Sequence, residues 1–144
     1  MPDFTATFPW ALHLQRLQQR DPALAPLALI DAGGGLNARG LALEKLLRAG
    51  QTLAQRQADV TLVADELRRY QKFAPPGRPS LQLVQLRRQQ STVQQAQRVA
   101  HQALIRDADA FARAMPLQVP AKLGTRVTVE RWLAAHLAGP AADG

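Results

Sequence analysis

The sequence predicts an all-α protein, a small helical bundle built on a long antiparallel αα-hairpin with short N- and C-terminal helices. The first observation is compositional, since 47% of the 144 residues are hydrophobic but only 5% are aromatic. The apolar content is mostly Leu and Ala, which favour helices, whereas the residues that favour strands are scarce. The second observation is that apolar residues recur at helical spacing on both sides of a proline-rich linker. This length suits one domain with a modest core, so residues 1–144 are predicted to form a single helical domain.

The N-terminal part is predicted to contain one short helix and an irregular connection. The helix spans residues 9–20, with Thr7 as its N-cap and an Asp-Pro pair directly after its last residue. Its apolar residues at helical spacing are expected to face the core: Trp10, Leu14 and Leu17. Residues 23–40 contain a proline and three consecutive glycines, which predict a short helical turn followed by a flexible loop.

Residues 41–115 are predicted to form the helical hairpin. Three prolines within five residues separate helices over 41–73 and 81–115, and Ser80 is placed to cap the second helix. In the first helix a heptad repeat predicts a coiled-coil-like seam: Leu46, Leu53, Val60 and Leu67. The alternate positions of the seam are filled by Ala49, Val63 and Tyr70 and are interrupted by Arg56. The second helix has a matching apolar face that is rich in small residues: Leu86, Val93, Ala96, Ala100, Ala103, Leu104, Phe111 and Met115. Helices joined by so tight a linker pack side by side and antiparallel.

The C-terminal part is predicted to form a short helix over residues 128–138, with Thr128 as its N-cap. An alternative is that residues 126–129 form a brief strand. The helix has an apolar stripe, Val129, Trp132, Leu133 and Leu137. Trp132 and Leu137 are expected to close the core together with Trp10 and Leu14 of the first helix.

Composition also limits the covalent chemistry and the cellular location that can be expected of the protein. Because the chain has no Cys, it forms no disulfide and offers no thiolate to a metal. The first 14 residues do not have the pattern of a signal peptide, and no stretch approaches the roughly 20 apolar residues that span a bilayer. We therefore expect a cytoplasmic protein. Fifteen Arg against three Lys is usage typical of a GC-rich bacterial genome.

Positive charge is concentrated in one part of the chain. The net charge is +7, from 18 basic and 11 acidic residues. The forty residues between Glu66 and Asp107 contain no acid but eight cations, so the rest of the chain nets to −1. The whole basic excess is therefore expected on the hairpin, which favours a polyanionic partner.

Seven Arg and Gln side chains of the second long helix fall within about a third of a turn of one another, opposite the apolar face. We call them the stripe: Arg87, Arg88, Gln94, Gln95, Arg98, Gln102 and Arg106. Arg and Gln suit phosphate oxygens and base edges, and each neutralised phosphate adds affinity through counterion release. We therefore predict nucleic-acid contact through the stripe together with four further cations: Arg68, Arg69, Lys72 and Arg78. Because the aromatic residues are spread along the chain, backbone contact rather than base stacking is expected.

Two other interpretations of the basic hairpin remain open. The stripe could bind an acidic protein partner, or it could be a solvated helix face. A helical adaptor or chaperone could instead bind a partner protein, or a second copy of this chain, through the coiled-coil-like seam. Membrane-surface binding is disfavoured, because the stripe uses Arg and Gln rather than Lys and no bulky apolar face is left over once the hairpin pairs.

No catalytic, metal or cofactor site is predicted. Three consecutive glycines follow an apolar run and Asp31, but they lack both the P-loop Lys and the dinucleotide-binding spacing. The three His residues are far apart in sequence, and Asp107 and Asp109 point about 160° apart on a helix. The sequence thus favours a non-catalytic accessory subunit of a larger nucleoprotein assembly. An enzyme that uses the glycine loop is the remaining alternative.

Overall fold

The structure is a computed structural model that describes three stretches of the chain: residues 11–20, 26–73 and 80–137. These stretches form four helices: α1 (Ala11–Gln18), α2 (Ala38–Phe73), α3 (Leu81–Ala114) and α4 (Gly124–Leu137). Helices α2 and α3 pack along each other, α1 packs on α2, and α4 packs on α3. The described stretches contain no β-strand, only an isolated bridge between Ile30 and Leu36. The predicted all-α fold, with a long hairpin flanked by short helices, is confirmed.

Contacts at the two ends of the hairpin show that α2 and α3 run antiparallel. Lys45, near the start of α2, has its Nζ 3.9 Å from a carboxylate oxygen of Asp107, near the end of α3. At the other end, the hydroxyl of Tyr70 donates a hydrogen bond of 2.9 Å to Oε1 of Gln82. The helix after the linker begins as predicted, since the backbone N–H of Leu83 donates to Oγ of the Ser80 N-cap at 3.1 Å.

The predicted heptad seam lies between α2 and α3. Leu46, Leu53 and Leu67 are buried, and Val60 is half-buried beside the polar break at Arg56. A seven-residue repeat drifts by about 20° per heptad around a straight α-helix. The line of contacts therefore winds slowly around α2, and it follows α3 over the whole length of the hairpin.

The core is concentrated at one end of the hairpin. There the two long helices are joined by α1, α4 and the 26–37 loop around fully buried residues that include Phe111, Leu29 and Leu133. Beyond this base, residues 54–73 and 81–97 continue as a two-helix projection, which we call the arm. Four hydrophobic residues are buried in the arm, and none belongs to the main core: Ala54, Val63, Leu67 and Leu83. At 1.5 Å per residue the arm is about 30 Å long.

The residues of the short helices that were predicted to face the core do so wherever the structure describes their side chains. Leu14 and Leu17 of α1 are buried, and Trp132 of α4 packs against the core with its ring edge-on to Phe111 at 5.1 Å between centroids. Trp10 lies outside the described residues, and so does the side chain of Leu137.

Helix α2 begins three residues earlier than predicted, because Asn37 caps it. The backbone N–H of Gly40 donates to Oδ1 of Asn37 at 2.9 Å, and Nδ2 of Asn37 donates to the carbonyl of Ala28 at 2.6 Å. A Cβ on Gly40 would lie 2.3 Å from the carbonyl oxygen of Leu29, so only glycine allows this approach. The 26–37 loop is thus fixed to the first turn of α2 rather than being a flexible connection.

Helix α4 begins at Gly124, four residues before the predicted start. Thr128 is not the N-cap, because its hydroxyl donates to the carbonyl of Gly124 at 2.8 Å from inside the helix. The β-branched segment around it is helical, and the brief strand over residues 126–129 does not form. Val129 is fully buried against the core, and this burial outweighs the weak helix propensity of β-branched residues.

We expect Asn37→Ala to destabilise the protein by about 1–2 kcal/mol, because it removes both the helix cap and the bond to Ala28. Asn37→Ser retains a capping oxygen and loses the amide donor, so it should recover part of the loss. Urea unfolding of the three proteins measures the difference. Equal losses in the two variants would show that the cap contributes nothing.

A second prediction concerns His13, which is half-buried on α1 and whose Nδ1 has no hydrogen-bond partner among the described residues. Burial, and secondarily the nearby Arg16, lower the pKa of His13 below its ordinary value of 6.5. As the pH falls, the unfolded chain therefore takes up a proton at His13 before the folded protein does. The stability that comes from keeping His13 neutral is fully present above pH 6.5 and is lost as the pH falls towards the pKa of His13 in the folded state. Thermal unfolding between about pH 7.5 and 5.5 should show a smaller loss of stability in His13→Gln than in the wild type. Parallel pH profiles for the two proteins would contradict this assignment.

Candidate nucleic-acid interface

The stripe is a continuous exposed surface of α3. All seven of its side chains are exposed: Arg87, Arg88, Gln94, Gln95, Arg98, Gln102 and Arg106. Towards the base they lie opposite the face that packs on α2, where Ala100 and Leu104 are buried, whereas at the arm Arg87 lies one turn from the buried Leu83, on the flank of that face. The stripe begins on the arm and continues along α3 to the base. No acid precedes Asp107 on this helix.

The α2 cations lie at the tip of the arm. Arg68, Arg69 and Lys72 are exposed in the last two turns of α2, and Arg78 lies outside the described residues. Arg68 is paired with the carboxylate of Asp65, one turn earlier. This is an ordinary i, i+3 ion pair. Among the described residues, Arg69 and Lys72 have no ion pair and are the unneutralised cations of this end.

Intramolecular contacts differ among the arginines of the stripe. The guanidinium of Arg98 donates twice to Oε1 of Gln95, at 3.1 and 2.7 Å. Nε of Arg106 lies 3.5 Å from a carboxylate oxygen of Asp107. The guanidinium groups of Arg87 and Arg88 have no hydrogen bond or ion pair to any of the described residues. These groups can bind an incoming anion without breaking an existing contact.

The stripe and the α2 cations do not form one flat patch. At 100° per residue, Arg87 and Arg98 lie on one flank of α3, whereas Gln82, Gln85 and Gln89 lie on the other. Arg69 of α2 faces the glutamine flank, where it lines the same groove as these three residues. Positive charge is thus spread around the arm, and Arg88 lies between the two flanks.

The groove on the glutamine flank has a volume of about 650 Å³ and opens at the tip of the arm. We call it the tip groove, and eight residues line it: Glu66, Arg69, Tyr70, Phe73, Gln82, Gln85, Leu86 and Gln89. Tyr70 accepts a hydrogen bond of 3.3 Å from Oγ of Ser80 and donates one to Gln82, which ties its ring to the start of α3. Sequence reasoning missed this groove, because it treated Tyr70 as a seam residue and saw no aromatic residues grouped with the cations.

A smaller groove of about 240 Å³ lies on the opposite flank, nearer the base. Arg98 and Gln102 of the stripe line it together with Gln57 and His101. His101 is half-buried at this boundary, in agreement with its place beside the apolar face of α3. The groove extends the polar surface of the stripe as far as α2.

The glycine loop holds its own anion. The backbone N–H groups of Gly33 and Gly35 donate to one carboxylate oxygen of Asp31, at 2.9 and 3.0 Å. Gly34, with φ +85°, provides the left-handed residue that such a turn needs. A bound phosphate would have to displace a carboxylate from the amide donors that it needs, so this loop is built as a closed turn.

Asp107 is the one buried charged side chain among the described residues, with 4% of its surface exposed. Nζ of Lys45 and Nε of Arg106 lie 3.9 and 3.5 Å from the same carboxylate oxygen, Oδ1. Sequence reasoning placed Asp107 with Asp109 as a local acidic pair and missed this role. The signal was available, because Asp107 lies about 60° from Leu104 and 40° from Phe111 on the helix, which is the core face.

Residues 11–20, 26–73 and 80–137 contain no group of three or more His, Asp or Glu side chains arranged to hold a metal ion. Within the same stretches, none of the helices combines the length and the apolar character needed to cross a membrane.

Comparisons of this chain with protein-family models, with curated proteins and with solved structures found no match.

Proposed function

We propose that this protein is a non-catalytic accessory subunit that lays the arm and the stripe along nucleic-acid phosphates, within a larger nucleoprotein assembly. One observation carries the proposal: the exposed face of α3 has four arginines and three glutamines and no acid before Asp107. Arg guanidinium groups match phosphate oxygens, and Gln amides can donate to phosphates or to base edges.

The length of the stripe supports contact with several phosphates. From Arg87 to Arg106 it extends for about 28 Å at 1.5 Å per residue. One strand of a duplex advances roughly 3.4 Å along the axis per phosphate and winds around that axis, so a stripe of this length spans about eight base pairs and faces the few phosphates on its own side. The guanidinium groups of Arg87 and Arg88 have no partner among the described residues, which keeps the cost of rearrangement on binding low.

The packing of the hairpin favours the stripe over the seam as the binding surface. Leu53, Leu67 and Leu104 of the seam are buried between α2 and α3. A partner protein that paired with the seam would have to displace α3 and expose these residues to water first. The stripe needs no such opening, so an adaptor function would also have to use the outer surface of the hairpin.

Replacing Arg87, Arg88 and Arg98 together by Gln should weaken binding to DNA and RNA and reduce its dependence on salt. Each lost phosphate contact lowers the log–log salt slope by about 0.9 for duplex DNA, so the triple variant should lose roughly 2–3 units. Fluorescence anisotropy of labelled single- and double-stranded oligonucleotides, at low and at physiological salt, measures both quantities.

The matched control is the triple replacement of Arg39, Arg48 and Arg131 by Gln. All three are exposed away from the stripe, and both triple variants carry the same net charge. The control should retain most of the wild-type affinity. An equal loss in both variants would mean that only net charge matters. Absence of binding by the wild type at low salt would exclude the proposed function for the isolated chain.

A further inference from the structure

The tip of the arm exposes an aromatic side chain beside cations. Phe73, the last residue of α2, has 80% of its surface exposed, more than any other large hydrophobic residue that the structure describes. Nζ of Lys72 lies 5.8 Å from the centroid of its ring, which is within cation–π range. The tip groove therefore has an exposed aromatic wall with a cation beside it.

The opposite wall of the tip groove is made of amides. Gln82, Gln85 and Gln89 project into it from consecutive turns of α3. Oε1 of Gln82 accepts a hydrogen bond from the hydroxyl of Tyr70, so the amide nitrogen of Gln82 remains a donor for a ligand. Side-chain amides present both donors and acceptors, which is the chemistry that recognises the edge of a nucleobase.

The tip groove combines one carboxylate with several cations. The carboxylate of Glu66 lines the groove and repels a phosphate there, while it can accept from the N–H groups of a base. Arg69 lines the same groove, Lys72 is exposed beside it, and Arg88 lies one turn from Gln85 at its outer edge. These cations connect the groove with the stripe.

We infer that the tip groove binds an unstacked base of a single-stranded nucleic acid, with Phe73 stacking on the base and the glutamine amides contacting its edge. The inference rests on the proposed function, since the stripe supplies the phosphate contacts that bring the strand to the tip. The groove volume of about 650 Å³ lies within the range of clefts that hold small-molecule-sized groups, roughly 300–1,000 Å³. In a duplex the bases are paired and stacked, so this site selects single strands.

The test uses the full chain and three labelled oligonucleotides of equal length: a single strand, the corresponding duplex, and a single strand in which every base but that of the labelled terminal nucleotide is replaced by an abasic residue. Phe73→Ala should weaken binding of the normal single strand by about fivefold to a hundredfold, the effect of one stacked base. The same substitution should leave binding of the duplex and of the abasic strand unchanged. Phe73→Trp should bind the normal single strand as the wild type does, since Trp provides an equivalent stacking surface.

The matched control is Leu62→Ala, which shortens another exposed hydrophobic residue of α2 that does not line the groove, and it should bind all three oligonucleotides as the wild type does. Either of two results overturns the inference about the tip groove but leaves the proposed function standing. One is equal binding of the normal and the abasic strand, and the other is unchanged single-strand binding by Phe73→Ala. Base-dependent binding that is independent of salt supports the groove and overturns the phosphate-binding function. Absence of binding to every oligonucleotide at low salt overturns both.

Discussion

The packing of α2 against α3 is the contact on which the rest of the structure depends. At the base this contact is reinforced from both sides by α1, α4 and the 26–37 loop. Along the arm it consists of a line of four buried side chains, among them Val63, Leu67 and Leu83, and it is closed at the tip by the Ser80 cap and the bond from Tyr70 to Gln82. Two helices paired along one narrow line leave most of their circumference exposed, which is how a small protein presents so long a cationic surface.

The base is organised to hold the start of α2 and the end of α3 together. Asn37 and the close approach at Gly40 fix the 26–37 loop to the first turn of α2. On the other side, Phe111 contacts Trp132 of α4 within the core. Asp107 of α3 is buried near Lys45 of α2. Removing one side of a buried charge contact leaves the other uncompensated, so this carboxylate restricts which side chains the base accepts.

The sequence predicts the hairpin well because each of its signals is local. The heptad of leucines, the prolines of the linker and the Ser80 cap act within a few residues of one another, and the exposure of the stripe follows from the same helical periodicity. The misplaced boundaries arise where tertiary contacts decide. Asn37 caps α2 while it bonds to Ala28, nine residues earlier, and Val129 is helical because the core buries it.

The tip groove was beyond sequence reasoning for a different reason. It brings Phe73 of α2 beside Gln82 and Gln89 of α3, and this pairing depends on the register between two antiparallel helices. The heptad pattern shows which face of each helix is buried, but it does not fix how far one helix is shifted along the other. The burial of the Asp107 carboxylate was missed because Asp107 was compared with Asp109 rather than with Leu104 and Phe111, the residues that share its face of the helix.

A division between a well-packed base and a thinly packed arm has a consequence for local stability. The arm can open without unfolding the base, since it contributes nothing to the main core. Its cations repel one another across the same two helices, and this repulsion favours opening at low ionic strength. Added salt should therefore slow hydrogen exchange in the distal turns of α2 and α3. Any polyanion held against the arm would act in the same direction as salt, as a counterion that closes the hairpin.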